Sequence, residues 1–410
     1  MHIRQSFQPK TNSYFAGKNS LTTKKLKIPD YPRIALVLQG GGALGSYQAG
    51  VFEGLKEVNL NPTWLAGISI GSLNCAIIAG NPPHKRVQQL RDFWDTICRP
   101  PSALEGAMAS MFNLLGASAK GLSDFTSTHT DKFFGSAAAM QAIVQGQAGF
   151  FTPRPFAPGV GTPATVSYYD TSPLYETLER FADFDRINSG EMRVSIGATN
   201  VKSGNFVFFD TNDMKLKPEH FVASGALPPG FPAVEIDGEF YWDGGCVSNT
   251  PLHYIINTLP RKDTLVFQVD LWSARGELPT DIFSVLERQK DIQYSSRTRE
   301  VTHYINDLQR MRQFVWDTIE RVPASVRKKD PWFNEMHEFM YGGRYNCIHL
   351  IYKNKMKAGH YKDFEFSHET MEHHWKTGLE DMRRTLENPS CLDMPPPGVN
   401  FVDYDVHRHQ

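Results

Sequence analysis

After Pro32 the chain alternates between two textures. Ile34-Ala35-Leu36-Val37-Leu38 is an unbroken apolar run of strand length, the pattern of a parallel strand covered on both faces. Glycines between Gly40 and Gly45 break the run, and Tyr47, Val51, Leu55 and Val58 then recur at helical spacing until Asn59 and Pro62 stop them. A second short strand is expected over Trp64 to Ile68, running straight into Ser69. Leu73, Ile77 and Ile78 mark a helix up to Gly80, and Val87, Leu90, Trp94 and Ile97 mark another. Strand, helix, strand, helix predicts an α/β domain with a mostly parallel sheet.

From Pro100 to about Thr165 the texture shifts to Ala, Ser, Gly, Met and Phe with little charge, which predicts a cap or loop-rich insertion over about 100–165. Strand patterns return at Arg193 to Asn200, Asn205 to Phe209 and Thr264 to Asp270, the first two joined by a Lys202-Ser203-Gly204 turn. A first, sheet-bearing domain is therefore expected over 33–274. Beyond it lie a long polar helical stretch (about Asp281 to Ile319), aromatic-rich segments, and a helix with Met371, Trp375, Leu379, Met382 and Leu386 on one stripe, read as core packing. The Pro-rich tail from Asn388 reads as irregular, and 275–410 as an accessory domain.

At 410 residues the chain exceeds one ordinary core, and its 40% hydrophobic and 21% charged content fits a folded protein. With 43 basic and 44 acidic side chains the formal charge is -1, so no global field holds nucleic acid or an anionic membrane, and membrane contact must be local. Cys75, Cys98, Cys246, Cys347 and Cys391 are widely spaced without a CxxC pair, which fits a reducing, cytoplasmic setting. The first 32 residues are basic and lack an apolar h-region, so they read as a flexible arm and not as a secretory signal or a membrane span.

Three short elements carry chemistry. Gly67-Ile68-Ser69-Ile70-Gly71 stands at a strand-to-helix junction, where flanking glycines let a serine occupy a sharp turn with its hydroxyl at a helix N-terminus. In Gln39-Gly40-Gly41-Gly42-Ala43-Leu44-Gly45, successive N–H groups can converge on one concavity that suits an oxyanion. Gly40, Gly42 and Gly45 also satisfy GxGxxG, but a dinucleotide site calls for an acid at the end of the second strand, which here ends in Gly67-Ile68-Ser69. Asp243-Gly244-Gly245 follows a short strand over Glu239 to Trp242, and a carboxylate there can serve a serine as general base.

In order and spacing these motifs resemble the patatin-like phospholipase family. The resemblance spans about Arg33 to Ser273 and includes Asn74, Ile196 to Phe208, and Ala226 to Phe231 leading into Asp243. It implies a three-layer α/β fold with a mostly parallel central sheet, and a mainly helical C-terminal domain as in a bacterial subset of the family. It implies Ser69 as nucleophile and Asp243 as base in a two-residue dyad. The oxyanion hole would be formed by the N–H groups of Gly41 and Gly42 with Gly40 or Ala43, while Gly45, Gly67, Gly71, Gly244 and Gly245 shape the motifs. The implied substrate is a phospholipid or lysophospholipid ester, met in peripheral contact with a membrane, with no metal, cofactor or nucleic acid.

Two departures stand out: Leu44 where the family often has Arg or Lys, and Gln39 where it often has Asp. A His-triad α/β-hydrolase is the nearest alternative enzyme, but the glycine nest here follows the first strand and no HGGG motif precedes it. Acyl transfer, a short hydroxyacyl ester as substrate, and a catalytically weak lipid-binding protein remain as further readings. His368, Glu369, His373 and His374 do not satisfy HExxH, whose fifth position is Glu372, and read as a solvated helix face. Met108, Met111, Phe112, Leu114, Leu115, Phe133, Phe134, Phe150 and Phe151 line either an acyl channel or the core of a cap.

Overall fold

The structure is a computed structural model describing residues 28–98, 139, 142–154, 160–296, 298–353, 361–396 and 399–405. Most of the basic arm and the predicted apolar positions from Met108 to Phe134 lie outside the described residues. The strands are β1 (Arg33–Leu38), β2 (Trp64–Gly67), β3 (Thr152–Pro153), β4 (Tyr169–Asp170), β5 (Arg193–Asn200), β6 (Phe206–Asp210), β7 (Val234–Ile236), β8 (Glu239–Asp243), β9 (Thr264–Asp270), β10 (Tyr345–Ile351) and β11 (Phe401–Asp405). The principal helices are α1 (Ser46–Glu57), α2 (Ile70–Ala79), α3 (Arg86–Ile97), α4 (Ser172–Phe181), α5 (Pro218–Ser224), α6 (Leu252–Asn257), α7 (Ile282–Tyr294), α8 (Thr298–Arg321), α9 (Pro331–Met340) and α10 (His368–Leu386).

β1 is wholly buried from Ala35 to Leu38, as its continuous apolar run requires, and pairs in parallel with β2 on one edge and β9 on the other. The nine-stranded sheet runs β11-β10-β9-β1-β2-β5-β8-β7, with β6 on the opposite edge of β5 from β2 and β8. Pairing is parallel from β11 across to β5 and antiparallel where β6, β7 and β8 join. β3 and β4 form a separate two-stranded ribbon. Phe150 and Phe151, the two described members of the predicted acyl-channel set, are buried among Tyr169, Phe231 and Phe366.

The segment after 274 is mainly helical, but a domain boundary at 274/275 would cut through the sheet. β10 pairs with β9 from Tyr345 to Ile351, and β11 pairs with β10. The tail expected to be irregular thus includes a sheet strand. α10 lies along α1 so closely that a Cβ on Gly378 would fall 2.0 Å from the Tyr47 carbonyl oxygen, and one on Gly50 would fall 1.9 Å from that of Trp375. Two backbones can approach this far only where the side chain is missing. Met371, Trp375 and Met382 fill the seam, and the Tyr47 hydroxyl donates to Asp381 Oδ2 at 2.8 Å. The polar helical stretch expected from about Asp281 to Ile319 forms two helices, α7 and α8, which part where Ser295 takes an extended conformation (φ -62°, ψ 151°). Not all of the α10 histidines are solvated: His374 is buried against Tyr352.

Candidate active site

β2 ends at Gly67 and α2 begins at Ile70, so Ser69 must turn the chain from strand to helix within three residues. It does so at φ 54° and ψ -127°. A non-glycine residue there stores on the order of 1–3 kcal/mol, which the surroundings must hold in place. They do so by contact: a Cβ on Gly71 would lie 2.3 Å from the Leu38 carbonyl oxygen, leaving no space for a side chain between strand and helix. The Ser69 N–H donates to Ser224 Oγ at 3.0 Å, and the Ser224 hydroxyl donates to the Gly197 carbonyl at 2.7 Å. The Ser69 side chain makes no capping bond to α2, so its hydroxyl is not spent on the helix.

β5 brings Asp243 to this serine. On one edge of β5, Ile196 pairs with Gly67 at the end of β2 and Ala198 pairs with Asp243 at the end of β8. Asp243 is buried, and its Oδ1 accepts the Gly245 N–H at 2.7 Å. Burial pushes its carboxyl up to about 7, against the lowering effect of hydrogen bonds from the Ser69 hydroxyl and the Gly245 N–H. A carboxylate that titrates near neutrality binds protons far better than an ordinary aspartate, which is what proton abstraction from a hydroxyl needs.

The glycine turn lies against the serine, since a Cβ on Gly40 would come within 3.0 Å of Ser69 Cβ. No acceptor among the described residues is bonded to the N–H of Gly40, Gly41 or Gly42. Gly40 and Gly41 are buried, where unpaired N–H groups are rare and costly. Gly42 opens a 3₁₀ turn over Gly42–Gly45 at φ 55°, with the Asp363 carbonyl packed against it where a side chain would stand. Ala43 is buried within that turn, and Gly45 precedes α1 against Ile70. Gly244 packs on the Gly197 carbonyl, and Gly245 lies beside both Asp243 and Asn249. Gln39 is fully buried with both ends of its amide bonded. Its Oε1 accepts from the Leu271 and Trp272 N–H groups at 2.6 and 3.0 Å, and its Nε2 donates to Thr250 Oγ1 and the Tyr294 carbonyl at 3.0 Å each.

Ser224, Gly197, Asn249, Trp272 and Tyr294 escaped the sequence reading. No local motif marks them, because each reaches the site through a strand register or a helix end set by the tertiary fold. Leu44 is fully buried in the main apolar cluster, so the position that often carries a cation in the family belongs to the core here. Among the described residues, Asp95, His368 and Glu372 are close enough to share a metal ion, but they lie on the surface, where His368 Nε2 is paired with Asp95 at 3.4 Å.

A strained serine between strand and helix, a buried carboxylate beside it and a glycine turn whose N–H groups meet no acceptor among the described residues are thus gathered at the ends of strands in a mostly parallel α/β sheet. The patatin-like phospholipase family profile matches residues 36–256, more than half of the chain, and the chain belongs to that family. A second profile, described as patatin phospholipase, matches residues 292–398. Triacylglycerol lipase SDP1L of Arabidopsis thaliana is 46% identical over 48 residues, which is 12% of this chain and 6% of the plant protein. Among solved structures, VipD from Legionella pneumophila aligns with a TM-score of 0.35 at 13% identity, covering 87% of this chain and 67% of its own. Human GIVD cytosolic phospholipase A2 aligns with a TM-score of 0.34 at 11% identity, covering 60% of this chain and 45% of its own.

Proposed function

We propose that this protein is a serine lipid acyl hydrolase that cleaves the carboxylic ester of a phospholipid or lysophospholipid through an acyl-Ser69 intermediate. The observation that carries the reading is the meeting of Ser69, at its strained elbow, with a buried Asp243 that titrates near neutrality. In the first half-reaction Asp243 takes the hydroxyl proton while Ser69 Oγ attacks the ester carbonyl carbon. The carbonyl oxygen becomes an oxyanion that accepts from the N–H groups of Gly41 and Gly42, with Gly40 or Ala43 as a further donor. One such donor is worth about 3 kcal/mol in the transition state. Collapse expels the alcohol, which receives the proton from Asp243; water activated by Asp243 then releases the fatty acid.

Peripheral membrane contact is supported by α7, a helix with its polarity reversed. Glu287 and Asp291 bond to Lys362 at 3.0 and 2.6 Å, and Lys290 bonds to Asp363 at 2.8 Å, so its charges turn inward. Leu278 just ahead of it and Ile282, Phe283, Val285 and Ile292 along it are exposed. The last residue of α7, Tyr294, accepts from Gln39 and Asn249 through its carbonyl, so the C-terminal end of this helix is tied to the glycine turn's support.

Leu44, which leaves the glycine turn without the family's frequent cation, favours a second reading as a catalytically weak lipid-binding protein. A fluorophosphonate probe separates the two. The hydrolase reading expects one covalent adduct that peptide mass analysis maps to Ser69 and that Ser69→Ala abolishes. Vesicle binding with no adduct supports the second reading.

A further inference from the structure

We infer that Asn249 is a positioning residue for the proposed reaction, and that it aims the Gly40–Gly41 peptide by tying the glycine turn to the C-terminal end of α7. The inference rests on the reading of Ser69 as nucleophile. The Gly40 carbonyl accepts two hydrogen bonds, from Asn249 Nδ2 at 3.1 Å and from Trp272 Nε1 at 2.8 Å. A trans peptide sets its N–H opposite its C=O, so pinning this carbonyl also fixes the direction of the Gly41 N–H. That N–H is one of the buried donors with no acceptor among the described residues.

The remaining hydrogen on Asn249 Nδ2 goes to the Tyr294 carbonyl at 2.9 Å, which also accepts from Gln39 Nε2. Two amides thereby join four segments: the end of β1, the turn after β8, the end of β9 and the last residue of α7. Asn249 is only 9% exposed and packs on the turn itself, since a Cβ on Gly40 would fall 2.5 Å from its Oδ1. The same network accounts for Gln39. A carboxylate there could accept from Leu271 and Trp272 but could not donate to the Tyr294 carbonyl, and it would set charge against an acceptor. A turn held this rigidly does not have to reorganise as charge develops on the substrate oxygen, and that is the source of oxyanion-hole catalysis.

The test uses the full chain with a soluble short-acyl nitrophenyl ester and a fluorophosphonate, measuring kcat, KM, the rate of phosphonylation and the melting temperature. Asn249→Ala removes one donor to the Gly40 carbonyl, and Trp272→Phe removes the other while keeping a ring. Asn249→Ala is expected to lower kcat and phosphonylation by about 10- to 100-fold with KM within about threefold of wild type, and Trp272→Phe to lower kcat by about tenfold. If the Ala variant does not fold, Trp272→Phe decides alone. Wild-type kcat in the folded variants, or a loss confined to KM and melting temperature, overturns the inference while leaving Ser69 in place. A wild-type protein that neither labels nor hydrolyses overturns the reading of Ser69 and the inference with it.

Discussion

Ser69 and Asp243 approach each other from opposite directions along one edge of β5. β2 runs parallel to β5 and ends where Gly67 meets Ile196; β8 runs antiparallel and ends where Asp243 meets Ala198. Two positions along β5 separate these ends, roughly 7 Å at strand rise, and Ser69 and Asp243 fill the interval. Strand register thus brings the two chain ends together, and the elbow after Gly67 turns the Ser69 hydroxyl to the carboxylate. Gly197, between the two pairings, fixes the elbow through its carbonyl bond to Ser224.

Because burial raises the Asp243 carboxyl to about 7, the acid limb of kcat/KM should fall below a midpoint near 7 and not near the ordinary aspartate value. A pH profile on a soluble ester reads this directly, and a midpoint near 4 would mean that burial does not raise the Asp243 carboxyl. The linkage to stability has the opposite sign from that of most carboxylates. A raised folded-state pKa favours folding below the unfolded value of 3.8, and that contribution is lost as pH rises towards 7. Asp243→Asn should therefore abolish turnover yet raise the melting temperature at pH 8 by a few degrees.

The strain at Ser69 gives a prediction of the same kind. Ser69→Gly removes the proposed nucleophile but suits a φ of 54°, so it should be inactive and about 1 kcal/mol more stable than Ser69→Ala in urea denaturation. Equal stability of the two variants would mean that the elbow holds no strain.

Trp375 is fully buried and lies in the α1–α10 seam. Trp375→Ala should cost about 3–5 kcal/mol and lower the melting temperature of the whole fold in a single transition. Two separate transitions, with the site-bearing strands unaffected, would contradict the view that the last third of the chain is part of the same sheet structure.

The exposed face of α7 should matter only at a lipid surface. Changing Ile282 and Phe283 together to Ser should reduce co-sedimentation with phosphatidylcholine vesicles and vesicle hydrolysis several-fold, while kcat on a soluble ester stays unchanged. Unaltered vesicle binding would remove α7 from the account.

The sequence made the centre of this structure legible and its flanks much less so. β1 and the elbow are readable because a covered parallel strand must be continuously apolar and a tight strand-to-helix turn must be rich in glycine. β10 was missed because Asn346 and His349 interrupt its apolar pattern, although both are buried in the sheet. β11 follows a Pro-rich stretch and carries Asp403 and Asp405, which an edge strand tolerates and a central one would not. Ser224 and Asn249 left no local trace, since their partners Gly197 and Tyr294 come near only once β5 and α7 are in place. Gln39 stood out in the sequence only as a departure from the family's frequent Asp, whereas the structure uses its amide both to donate and to accept.

The central claim is most directly tested by mass-spectrometric measurement of fatty acid released from phospholipid and lysophospholipid vesicles, without added calcium, by the wild-type protein and by folded Ser69→Ala and Asp243→Asn variants. The account predicts release by the wild type and at least a roughly thousandfold loss in each variant. Release that survives either substitution at the wild-type rate would contradict it.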